Sequence, residues 1–149
     1  VARRPRWQQV GANRRAGQVI GLDTNVLVRY MMQDDPRQSA RATKLIESFT
    51  GEEPGFVPLV AVVELVWVLT GSYGLARAQV AAALESLLRS KELVVDRADL
   101  VTQALSRYRS AGADYADALI ERIAVTAGCA TTMTFDAGAV KAASMTPVP

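Results

Sequence analysis

Six carboxylates stand where a chain can use them chemically. Asp23 follows the apolar run Val19-Ile20-Gly21-Leu22, and Asp136 comes two residues after the run Ala130 to Thr134. Glu64 is the only polar residue between Leu59 and Leu69, while Asp114, Asp117 and Glu121 recur at helical spacing. The chain has no histidine and one cysteine, Cys129. Histidine-based acid–base catalysis, Ser-His-Asp and Cys-His triads and the common zinc sites are therefore excluded, as is an intramolecular disulfide. What remains is chemistry by carboxylates, with hydroxyl, amide and basic groups in support.

Taken singly, each acid has a plain structural explanation. Asp23 reads as a helix cap or first-turn acid, Asp114 and Asp117 as first-turn acids favoured by the helix dipole, and Asp136 as a loop acid. Glu64 is harder to explain. Its helix reads as apolar on every side, and a carboxylate there is costly unless it is paired, protonated or bound to a metal. Asp114, Asp117 and Glu121 are expected on one stripe, where three like charges repel unless a cation joins them.

The elements that must position these acids follow from hydrophobic periodicity. Short apolar runs at Val19–Leu22, Phe56-Val57, Leu93–Val95 and Ala130–Thr134 read as strands. Between them lie helical stretches. One begins near Thr24 or Asn25, expected as its cap, and a second is opened by Asp34-Asp35-Pro36. Others cover Leu59–Leu69, Leu75–Arg89, Leu100–Ser110 and Asp114–Ala127, the last two stopped by Gly112 and Gly128. Residues 137–149 are weakly specified. Strands alternating with helices imply an α/β fold, a parallel sheet between helical layers. Such a sheet gathers its strand ends, so Asp23 and Asp136 are expected to meet, faced by Glu64 and Asp117. Their all-oxygen chemistry suits Mg²⁺ or Mn²⁺, with Thr24, Asn25 and Thr134 placed to hydrogen-bond the carboxylates or the ion's waters.

At 149 residues the chain is expected to form one domain, over 18–149. Residues 1–17 hold Arg3, Arg4, Arg6, Arg14 and Arg15 and no acid, and are expected to be a disordered tail. Removing those five from the 17 basic residues leaves 12 against 15 acids, so the remainder is mildly acidic despite a net charge of +2. The high isoelectric point is thus no argument for nucleic-acid binding, although the tail has the charge to touch RNA phosphates. There is no signal-peptide core and no apolar run of spanning length, so a cytoplasmic location is expected.

Four motifs together resemble the PIN-domain family. Leu22-Asp23-Thr24-Asn25-Val26-Leu27 resembles the opening of PIN domains. The apolar helix with Glu64, the run Gly112-Ala113-Asp114-Tyr115-Ala116-Asp117-Ala118-Leu119-Ile120 and the run Thr132-Met133-Thr134-Phe135-Asp136 resemble its later motifs, in the family's order. The resemblance covers about residues 19–140. It implies a three-layer, Rossmann-like α/β/α fold with a short central parallel sheet, and Mg²⁺- or Mn²⁺-dependent endonucleolytic cleavage of RNA. In it Asp23, Glu64, Asp117 and Asp136 match the metal-site acids, and Asp114 an additional acid common in the toxin subgroup. At this length it further implies a VapC-like toxin of a VapBC toxin–antitoxin pair, which would bind a VapB-like antitoxin and form a homodimer. Two departures stand out: Glu121 replaces a small residue, and no basic residue lies directly behind Asp136.

Two other readings compete. One is a non-catalytic PIN-like module acting through protein contacts, which gives no reason to keep the acids. The other is a phosphohydrolase with Asp23 as nucleophile. That chemistry usually has a second aspartate two residues on and a late lysine, whereas position 25 is Asn and the only late lysine is Lys141.

Overall fold

The computed structural model describes residues 19–149, so the expected tail at 1–17 lies outside the described residues. Strand β1 (Ile20–Gly21) leads into helix α1 (Thr24–Met32), and α2 (Pro36–Glu47) follows. Pro36 takes the first turn of α2, and Asp35 caps it by accepting from the amides of Arg37 and Gln38. Then come β2 (Gly55–Val57), α3 (Leu59–Trp67) with a π turn at Val68–Ser72, α4 (Arg77–Arg89), β3 (Leu93–Val95) and α5 (Ala98–Ser110). Gly112, at φ +68°, turns the chain into α6 (Tyr115–Thr126), and Gly128, at φ +90°, ends it. Residues 133–147 supply β4 (Met133–Thr134), α7 (Ala137–Ala142) and β5 (Thr146–Pro147).

The fold is a helix-rich α/β arrangement around a short parallel sheet, as expected for three-layer α/β/α. Its order is β1-β2-β3, with Gly55 paired to Ile20 on one side and to Leu93 on the other. The core joins Leu22, Val57 and Val95 from the strand region to Leu27, Leu65, Leu84, Leu100 and Leu119 of the helices. Burying side chains of this size contributes about 1.5–3 kcal/mol each. Helix α3 touches both α1 and α6, so the helices that carry or flank five of the six acids are neighbours. Among the described residues no helix is long and apolar enough to cross a membrane.

Several expectations need correction. β4 pairs in parallel with β5 as a separate two-stranded sheet and is not a fourth strand of the main sheet. The segment 137–149 is ordered by two long-range bonds, Thr146 N donating to Thr132 O and Val148 N to Thr134 O. Helix α3 is not apolar on every side. Val60, Glu64 and Trp67 are all exposed (Val60 74%, Trp67 65%) at spacings that share one face. Glu64 therefore has a solvated face and does not bear the burial cost that singled it out.

Candidate metal centre

Three of the acids begin helices, and their carboxylates fix the local backbone. Asp23, not Thr24 or Asn25, caps α1, its Oδ1 accepting from Thr24 N at 2.8 Å. Asp114 caps α6 by accepting from Asp117 N at 3.0 Å. Asp136 caps α7 by accepting from Gly138 N at 2.7 Å and Ala139 N at 3.2 Å. The same oxygen, Oδ1, makes the cap bond at each site, which leaves Oδ2 for a ligand. A Cβ at position 138 would lie 3.0 Å from Asp136 Oδ1, so glycine gives that carboxylate its room. Thr134 Oγ1 accepts from Asp136 N at 3.0 Å and so steadies the turn, a bond to the backbone and not to a carboxylate.

Asp114, Asp117 and Asp136 line one cavity of about 350 Å³, together with Gly112, Gly138 and Lys141. Partial burial, and then the charges of Asp114 and Asp136, raise the Asp117 carboxyl above its ordinary range. Glu64 lines a second cavity of about 480 Å³ with Thr24, Asn25, Arg29, Asp34 and Tyr73. Asp23 lines neither of the two. The structure thus brings three of the five acids together and places Glu64 beside the α1 N-terminus. Glu121 leaves the expected stripe. It is buried (6% exposed) and bonded twice by Arg122, Nε to Oε2 at 2.6 Å and Nη2 to Oε1 at 2.8 Å, which holds its carboxyl below the ordinary range.

The donor chemistry of the cavity fits a hard divalent cation. Every candidate ligand is a carboxylate oxygen, and among the described residues none of Asp23, Glu64, Asp114, Asp117 and Asp136 forms an ion pair. Burial, and then the charges of Asp114 and Asp136, disfavour the charged form of Asp117, which such an ion would stabilise. No three His, Cys, Asp or Glu side chains among the described residues stand together as a metal-holding group.

Sequence reasoning missed several residues that shape this site. Lys141, in the last turn of α7, puts a basic group on the acidic cavity five residues beyond Asp136. Arg77 donates to the carbonyls of Tyr108 (2.9 Å) and Ala113, and its guanidinium lies 3.9 Å from the Tyr108 ring centroid. Tyr108 meets Tyr115 edge-on, and the Tyr115 hydroxyl, pushed up by burial, donates to Val101 O at 3.2 Å. This stack anchors the loop and first turn that present Asp114 and Asp117. Nothing in the spacing of Arg77 signals it, because its partners lie 31 and 36 residues away. In the second cavity Tyr73 donates to Asp34 at 2.6 Å, and Arg29 donates to both Asp34 and Tyr73 at 3.1 Å.

No curated protein matches the chain. The family model described as the PIN domain matches residues 20–144, a span that starts at β1 and includes all five acids, and PIN domains are a family of metal-dependent nucleases. The chain belongs to the PIN-domain family.

Proposed function

We propose that this protein is a metal-dependent endoribonuclease, the toxin of a VapBC-type toxin–antitoxin pair, working through Mg²⁺ or Mn²⁺. The observation that carries the reading is the grouping of Asp114, Asp117 and Asp136 on one cavity, with Asp117 raised by burial and then by the other two, and no described base paired to any of them. Asp117, Asp136 and Asp114 would hold the ion from one side, and Glu64 and Asp23 from the α3 and α1 side. The ion, when bound, supplies an activated water and charge stabilisation on a phosphodiester.

The chain's own residues do the rest. The cap bonds of Asp23, Asp114 and Asp136 hold one oxygen of each carboxylate still and so limit the reorganisation needed on loading. Thr134 fixes the Asp136 turn, and Thr24 and Asn25 face the Glu64 cavity as hydrogen-bonding groups. Lys141 offers a positive charge to the phosphate backbone at the rim of an otherwise repulsive cavity. The products are 3′-hydroxyl and 5′-phosphate ends. The partner assignments rest on the family resemblance, with two supporting features. The chain after residue 17 carries an excess of acids, which suits a basic antitoxin segment, and Val60 and Trp67 are exposed beside Glu64, which suits a covering partner or second copy.

The test is cleavage of a mixed cellular RNA pool by antitoxin-free protein, with Mg²⁺ or Mn²⁺, with EDTA, and with Asp23→Asn and Asp117→Asn. Discrete cuts that need the metal and vanish in both variants are expected. No cleavage and no metal binding would leave a non-catalytic module as the better account.

A further inference from the structure

Phe135 is the most exposed large apolar side chain among the described residues, at 92%. It sits on a turn held at both ends. On one side, β4 is tied to β5 and Thr134 Oγ1 accepts from Asp136 N. On the other, the Asp136 carboxylate caps α7. The ring therefore stands on a fixed backbone one residue from an acid of the candidate centre, with no packing of its own. An isolated aromatic ring left in water gains nothing for the fold, since its apolar surface stays unburied. Met133, two residues before it, is also exposed, but the place of the ring one residue from Asp136 favours a group of the substrate over a protein face.

We infer that Phe135 is a stacking platform for an unpaired base of the RNA, next to the phosphodiester held at the acidic centre. This rests on the ribonuclease reading and adds a base subsite to it. A base inside a duplex has both faces covered by its neighbours, so the platform selects single-stranded or looped RNA. Stacking reads a π face and not a hydrogen-bond pattern, so the subsite tolerates any base.

The test compares Phe135→Leu, which keeps apolar bulk but no π face, with Phe135→Trp, which keeps the π face. The probe is a single-stranded oligoribonucleotide carrying 2-aminopurine, bound with Mg²⁺ to chains that also carry Asp23→Asn to prevent cutting. Quenching of the probe is expected with Phe135 and with Phe135→Trp. With Phe135→Leu the quenching is lost and binding is about 5- to 150-fold weaker. In chains with Asp23 intact, Phe135→Leu raises KM for the same oligonucleotide while kcat and Mn²⁺ affinity hold, and Phe135→Trp restores KM. Equal quenching and equal KM in Phe135→Leu would overturn the inference and leave the ribonuclease reading standing. A change of sedimentation with unchanged RNA binding would also overturn it and make the ring a protein contact. If the wild-type chain neither binds nor cuts the oligonucleotide, both readings fail.

Discussion

Asp117 and Glu121 lie one turn apart on α6, yet they meet opposite electrostatic surroundings. Glu121 is buried against Arg122, with Arg107 also acting on it, and its carboxyl is held low. Asp117 is half-buried beside Asp114 and Asp136, and its carboxyl is pushed up. The fold has neutralised one acid of the stripe and left the other in a group of like charges. Acidity alone thus says little about a site, whereas an acid left without its counter-charge says more. The first turn of α6 gathers like charges, and the next turn pairs its acid with Arg122.

The widest separation between the two ends is expected in activity. Asp117→Asn should lower RNA cleavage by more than about 100-fold, since even residues that only support a metal ligand cost 10- to 100-fold. Glu121→Gln should leave cleavage within about threefold and instead lower stability by about 1–2 kcal/mol, because Arg122 loses a charged partner. Steady-state cleavage and urea unfolding of both variants measure this contrast. Comparable losses of activity would break it.

The support of the N-terminal end comes next. Arg77→Ala removes two carbonyl bonds and the contact over Tyr108, and should cost about 2 kcal/mol in urea unfolding. It should also lower cleavage by about tenfold as the Asp114 loop loosens. Gly138→Ala should have a smaller effect, about 0.5–2 kcal/mol, because the new Cβ displaces the Asp136 cap. Metal affinity should fall with it.

The smallest effect is a difference in pH dependence, and it has opposite signs at the two ends. The folded chain keeps a proton on Asp117 above the ordinary aspartate range, where the unfolded chain has released it. Metal-free stability therefore falls as pH rises from that range through the raised value. Glu121 does the reverse. Its contribution is full above the ordinary glutamate range and is lost as pH falls through its lowered value. Unfolding of metal-free protein over about pH 3 to 7 should show the first slope removed by Asp117→Asn and the second by Glu121→Gln.

How much of this could be read from the residues depends on the range of the interactions. Strands β1 to β3 and most helix limits followed from apolar runs and from Pro36, Gly112 and Gly128, which act locally. Five of the acids stood out for the same reason, lying beside a strand end or on a helical repeat, and Glu64 as the lone polar residue of an apolar run. What was not legible came from side-chain reach and distant pairing. Arg122 is adjacent to Glu121, and neighbours in sequence do not face each other on an ideal helix, yet its long side chain folds back to make both bonds. Val60 and Trp67 read as core and are exposed, so the burial argument for Glu64 failed, and its cavity is shared with α1 residues and not with Asp117 or Asp136. The order in 137–149 depends on Thr146 reaching Thr132, which periodicity cannot show.

Mn²⁺ titration by calorimetry tests the central claim most directly, that the uncompensated acids around Asp117 form a divalent-cation site. The wild-type chain and Glu121→Gln should bind with the same affinity, while Asp117→Asn and Asp136→Asn should lose binding. Failure of the wild-type chain to bind, or equal binding by Asp117→Asn, would contradict it.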